Sequence, residues 1–184
     1  ILRYLQMNTS IKVNQIEALI RINYFKQFGK RKKLLKLYDE FFNGTEFHNK
    51  ITKQLKSYEK RMDFLRNLEQ QISDEDLPIE EIVNDEHFYV GLCLSTDKNE
   101  DRKLFYIEDV DDKYGVNVKL YSIQRGTRGA MKLKKAQYDK EKIKPGNLLF
   151  LQDWKRSQKN KWINGKRTPV KGEYDLWITS YAAA

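Results

Sequence analysis

Cysteine is nearly absent from this 184-residue chain. Cys93 stands alone, so no internal disulfide can form, and its apolar setting in Gly91-Leu92-Cys93-Leu94 suits a small core residue better than a nucleophile. Histidine is almost as scarce: His48 and His87 lie far apart and beside no other ligand-like cluster, which leaves no metal-binding spacing. Long apolar runs are missing as well. Asn147-Leu148-Leu149-Phe150-Leu151 falls far short of the roughly 18 residues that a membrane-spanning helix needs. No segment has the zones of a signal peptide, and there is no phosphate-binding glycine loop, hydrolase elbow or internal repeat. These absences exclude a disulfide scaffold and a transmembrane protein, point to no cofactor or metal, and make a reducing cytoplasm the expected compartment.

What is present is charge, and it is sorted. The chain carries 35 Lys+Arg against 26 Asp+Glu, a net of +9, with 33% charged and 12% aromatic residues. Residues 1–42 sum to +6 and 43–72 to +2, whereas 73–86 hold seven carboxylates and no base. Residues 87–112 sum to −4, 113–172 to +14 and 173–184 to −2. Two basic blocks separated by an acidic joint suit a polyanionic partner contacted in two places, with the joint kept off it. The alternative is a lysine-rich composition that has drifted onto solvated faces.

The expected fold class is α+β: an N-terminal helical hairpin, a helical connector and a C-terminal five-stranded barrel of the OB type. Ile16, Leu19 and Ile20 predict a helix over 14–24, and Leu34, Leu35, Tyr38, Phe41 and Phe42 a second over 31–42, stopped by Asn43-Gly44 in a left-handed cap. A third, about 47–72, is lined by Ile51, Leu55, Tyr58, Met62, Leu65 and Leu68, and Ser73 can cap a short helix through the acidic segment. From residue 88 the period changes to short β-type runs at 104–107, 116–121, 131–134, 148–151 and 176–178, with Ala136–Lys142 the candidate for an inserted helix. Five strands with a helix between the third and fourth is an OB-type layout. The expected domains are 1–44, 45–87 and 88–181. Ile1 is no natural start and Ala182-Ala183-Ala184 reads as a cloning scar, so a fragment of something longer is expected.

Two constellations carry chemistry. Lys30-Arg31-Lys32-Lys33 falls in the first turn of the second helix, where the macrodipole disfavours cations by roughly 0.3–1 kcal/mol each. An anion bound there reverses the argument, because backbone N–H groups and basic side chains then converge on one phosphate. The plain alternative is that the side chains extend into water. In the β half, strand alternation puts Met131, Leu133, Val116, Val118 and Leu120 inside, and Lys119, Tyr121, Lys132 and Lys134 outside. Trp154-Lys155-Arg156-Ser157-Gln158-Lys159-Asn160-Lys161-Trp162 is expected in the loop between the fourth and fifth strands. A basic face with aromatics suits a single strand, whose bases stack on rings for about 1–3 kcal/mol each. The tryptophans could equally be core or rim residues. The carboxylates of Asp109, Asp111 and Asp112 precede a Tyr-Gly turn and fit a solvated turn better than a cation site.

The segment VNQIEALIRINYF over 13–25, followed by FGKRKKLL over 28–35, resembles the helix-hairpin-helix region of the α subunit of bacterial DNA polymerase III, and its spelling is most similar to phage-encoded versions. EHFYVGLCLS over 86–95 is similar to the junction that precedes the OB-fold in that family. The resemblance implies a sequence-independent DNA-binding piece of a DNA polymerase, without the palm aspartates and so without transferase activity of its own. On that reading Asn23, Lys26, Gly29, Lys30, Arg31, Lys32 and Lys33 would hold the duplex backbone. Lys119, Tyr121, Arg125, Arg128, Lys132, Lys134, Trp154, Lys155, Arg156, Lys161 and Trp162 would hold a single-stranded template. Asn23 stands where the family has a hairpin glycine, and Tyr24 where it has a small residue. The family's sliding-clamp peptide has a partial counterpart in Arg61-Met62-Asp63-Phe64-Leu65, which lacks the Gln and also fits an amphipathic helix; Met62, Phe64 and Leu65 would make the contact. Partners implied are double- and single-stranded DNA, the clamp and other replisome subunits, with no membrane. The rivals are a replisome protein-interaction module and an RNA-binding OB protein.

Overall fold

The computed structural model describes residues 8–43, 58–141 and 143–183, with the side chains of 58–62 and 183 outside that description. The chain divides into two compact units, Ile1–Val90 and Gly91–Ala184. The division falls three residues beyond the expected 87/88, because the last helix of the first unit runs to Val90.

The described helices of the first unit are α1 (Val13–Arg21), α2 (Arg31–Phe42), α3 (Tyr58–Gln71) and α4 (Ile79–Val90). α1 ends in a left-handed cap at Asn23, whose φ is 64°. That conformation lets Asn23 N–H donate to Ile20 C=O at 2.9 Å and Tyr24 N–H donate to Leu19 C=O at 2.9 Å, which satisfies two orphan carbonyls. Between α1 and α2 lies a 3-10 turn, Lys26–Phe28, before Gly29 at φ 141° redirects the chain into α2. α2 has the predicted bounds, but its cap at Asn43 is right-handed, with Nδ2 donating to Asp39 Oδ1 at 3.0 Å. Gly44, His48 and the first half of the expected third helix lie outside the described residues. The core is Ile16, Ile20, Phe25 and Tyr38, with Ile11, Leu19, Leu34, Leu35 and Phe42 packed around it. Each fully buried side chain of this size contributes about 1.5–3 kcal/mol.

Ser73 caps no helix. Its Oγ donates to Glu75 Oε1 at 2.9 Å, and residues 73–78 are a strap without helix or strand, with α4 starting only after Pro78.

The second unit has β1 (Leu104–Asp111), β2 (Val116–Ser122), β3 (Arg128–Leu133), α5 (Lys135–Lys140), β4 (Leu148–Ile163) and β5 (Lys166–Ala183). The five strands form a mixed sheet closed into a ring in the order β1-β2-β3-β5-β4, with β4 pairing back to β1. All pairs are antiparallel except β3 with β5, the pair that α5 and β4 separate in sequence. The ring's interior holds Ile107, Val116, Val118, Leu120, Met131, Leu133, Leu149, Leu151 and Ile178. Ala182 and Ala183 continue β5 opposite Phe150 and Leu149, so the tail expected as a scar is paired strand as far as Ala183.

Two expectations in this unit need correction. The 154–162 stretch is not a loop: it is the outer half of β4, paired with β5 as far as Ile163 with Lys166. Tyr121 lies on the outer face of β2 but is not exposed there. It is 1% exposed, because residues 93–97 cover the outer face of β2; its Oη donates to Ser95 C=O at 2.9 Å and Asp97 N–H donates to Ile123 C=O at 3.1 Å.

Candidate nucleic-acid interface

The basic start of α2 is already occupied by carboxylates of the strap. Lys30 N–H donates to Asp74 Oδ1 at 2.8 Å, Lys32 Nζ meets Glu75 Oε2 at 2.6 Å, and Lys33 Nζ lies 3.6 Å from Glu69 Oε1 of α3. Arg31 is 4% exposed: Nε donates to Arg21 C=O at 3.1 Å, Nη1 to Asp76 Oδ2 at 3.0 Å, and Nη2 faces Glu86 at 3.6 Å. The anion that offsets the macrodipole here is the chain's own acidic joint, which docks on this basic block. Lys32 holds the Glu75 carboxyl below its usual range. Arg21 binds Glu17, Asp85 and Glu81 in the same way; burial alone would lower its pKa, but Asp85 and Glu17 outweigh that and raise it. Gly29 lies against the strap: at φ 141° a side chain is strained, and a Cβ would touch Asp74 Oδ1 at 3.4 Å. Of the other residues expected on duplex, Lys26 is exposed and Asn23 half-buried in the cap. Tyr24 is exposed and packs edge-on against Phe25. Phe64 and Leu65 are half-buried on α3, and the Met62 side chain lies outside the described residues.

In the second unit several expected single-strand contacts are likewise engaged. Lys119 pairs with Asp109 at 2.8 Å, which raises its pKa, and Arg128 pairs with Glu108 at 3.0 Å, donates to Cys93 C=O and covers the Tyr121 ring. Lys132 pairs with Asp175 at 2.8 Å and lies over the Trp177 ring. Arg125 and Lys134 are exposed. Asp112 pairs with Lys135, and Asp111 accepts from Lys113 N–H, as befits a turn. Among the described residues no group of three or more His, Cys, Asp or Glu is placed to hold a metal ion, and no helix is long and apolar enough to cross a membrane.

The outer β4–β5 arm is different. Beyond Lys155 opposite Trp177, its strands pair only with each other, closing through Asn164 at φ 51° and Gly165 at φ 75°, the two positive-φ positions of a type I′ turn. Residues directly opposite share a face, so Trp154, Arg156 and Gln158 lie with Ile178, Leu176 and Tyr174. Trp154 is 51% exposed and Tyr174 46%, and the Arg156 guanidinium stacks 3.6 Å from the Tyr174 ring centroid. This face carries rings and a cation and no carboxylate. The opposite face carries Lys155, Lys159 and Lys161 with Glu173 and Asp175; Lys159 Nζ and Lys161 Nζ reach Glu173 at 2.9 and 3.4 Å, holding its carboxyl below the usual range. Among the described residues no carboxylate pairs with Lys155, Arg156, Lys166, Arg167 or Lys171. The sequence reading missed Tyr174, Leu176 and Arg167; the Asn164-Gly165 turn, read as an antiparallel hairpin signal, would have found them.

No family model, curated protein or solved structure matches this chain.

Proposed function

We propose that this chain is a sequence-independent DNA-binding piece of a replicative polymerase of the bacterial polymerase III α type, in which an OB-type ring holds single-stranded template. The polymerase assignment rests on the resemblance of residues 13–35 and 86–95. The OB-type identity is supported by the ring order and by the placing of α5 between β3 and β4. The observation that carries the single-strand reading is the arm's carboxylate-free face, with Trp154 beside the Arg156–Tyr174 stack. Bases stack on these rings, while the arm's cations track the phosphates without reading sequence.

The helical unit takes the duplex backbone on this reading, through Lys26, Lys30, Lys32 and Lys33. Arg31 is set aside as a contact, since its buried guanidinium is fully used within the fold. A second reading, docking of another replisome subunit by the helical unit, is favoured by the same ion pairs, which satisfy the lysines in the absence of DNA.

The test is affinity for an unstructured oligothymidylate. Trp154→Ala with Tyr174→Ala should weaken binding at least about fivefold at fixed salt, as loss of one or two stacked bases at about 1–3 kcal/mol each requires. Unchanged affinity would remove the arm from the interface, and stronger binding to a matched RNA would favour an RNA-binding OB protein.

A further inference from the structure

The tip of the β4–β5 arm carries exposed apolar side chains that the ring's packing does not use. From Arg156 to Ile163 the arm extends about 23 Å at roughly 3.3 Å per residue, with both faces beyond the ring's own pairings. At its end Trp162 is 75% exposed and Ile163 52%. They are adjacent in sequence, so they project to opposite faces just before the turn. Opposite them stand Arg167 and Lys166, and Lys161 precedes them. No carboxylate occurs between Trp154 and Gly172. Water-exposed indole and aliphatic surface at a hairpin tip does nothing for the ring's stability, and a tip shaped only for solubility would carry polar residues throughout.

We propose that this tip is a wedge that seats on the terminal base pair where duplex DNA gives way to single strand. A terminal pair presents a flat apolar face on which an indole can cover one base, bordered by phosphates of two strands. Trp162 stacks on one base of that face and Ile163, on the other face of the arm, packs against the strand that diverges from it, while Lys161, Lys166 and Arg167 meet the two diverging backbones. Wedge side chains between base steps are a general device of proteins that open or bend a duplex. The inference rests on the single-strand reading of the arm, which delivers the unpaired strand along the Trp154 and Tyr174 face. A lipid interface would also accept an indole among cations, but one indole and one isoleucine bury little apolar surface, and the stacked Arg156–Tyr174 pair on the same arm suits bases.

The experiment compares the whole chain on three DNAs at one salt concentration: a single strand, a blunt duplex and a fork joining the two. The wild type should bind the fork about tenfold more tightly than the single strand. Trp162→Ala with Ile163→Ser should cut the ratio of fork to single-strand affinity at least about fivefold and melt as the wild type does, while Trp162→Phe should keep that ratio. A wild type without fork preference, or a double variant that retains it, overturns the wedge while leaving the single-strand reading intact. Failure to bind any DNA overturns both. A blue shift of tryptophan emission on phosphatidylserine vesicles with none on the fork identifies a membrane as the partner and also overturns the wedge.

Discussion

The backbone N–H of Lys30, at the start of α2, donates to Oδ1 of Asp74 at 2.8 Å, across 44 residues of chain. The carboxylate sits where a phosphate would sit if this helix start held a duplex backbone, and Glu75 takes Lys32 beside it. Strap and duplex would then compete for one place. Asp74→Asn with Glu75→Gln should raise duplex affinity severalfold and leave single-strand affinity unchanged, read by titration of both ligands at one salt concentration. No gain for the duplex would argue against this helix as a backbone contact.

Arg31 belongs to the fold. Its guanidinium and the Glu86 carboxylate are both 4% exposed on their side chains, and Asp76 and Arg21 C=O also accept from it. Arg31→Ala should cost about 3–5 kcal/mol, since it strands a buried carboxylate. Chemical denaturation of the first unit's helices measures this, and a loss below about 1 kcal/mol would mean that the network contributes little.

Tyr121 is the corresponding case in the ring. Tyr121→Phe removes the bond to Ser95 C=O and should cost about 1 kcal/mol in stability, with single-strand affinity unaltered. A fall in affinity without a fall in stability would return Tyr121 to the interface.

How far the sequence spoke depended on how local each signal was. α2 over Arg31–Phe42 follows from neighbouring residues, and the structure has it. So do the inner strand segments and α5, where apolar alternation and turn residues lie within a few positions. Tyr121 defeated alternation because that rule assumes one covered face, and residues 93–97 cover the other. Ser157–Lys161 in the arm's outer half are Ser, Gln, Lys and Asn, poor strand formers, and their β structure comes from cross-strand pairing about the Asn-Gly turn. The strap's grip on Lys30–Lys32 joins residues more than 40 apart, which no periodicity reports. At the candidate site, Trp154, Arg156 and Trp162 were legible as an aromatic-basic cluster; Tyr174 was not, because only register places it beside Arg156.

Alkaline stability has a specific source. Burial pushes the Tyr106 hydroxyl up to about 12, with the nearby Cys93 and Glu108 adding to the shift. A folded-state value above the unfolded one of about 10 means stability that is full below pH ~10 and lost as pH rises toward 12. Tyr106→Phe should flatten that decline by about 2 kcal/mol in denaturant titrations between pH 9 and 12, roughly the window the shift defines. An unaltered slope would assign the decline to other groups.

The central claim is that the β4–β5 arm holds a single strand through cations and rings. The most direct measurement is the affinity of the whole chain for a fluorescein-labelled oligothymidylate across a salt series. Each phosphate neutralised contributes about −0.7 to the slope of log K against log salt, so contact by three or more of the arm's lysines and arginines predicts a slope near −2 or steeper. Binding should be accompanied by quenched tryptophan emission as Trp154 stacks. A flat salt dependence, or no binding at low salt, would contradict the account.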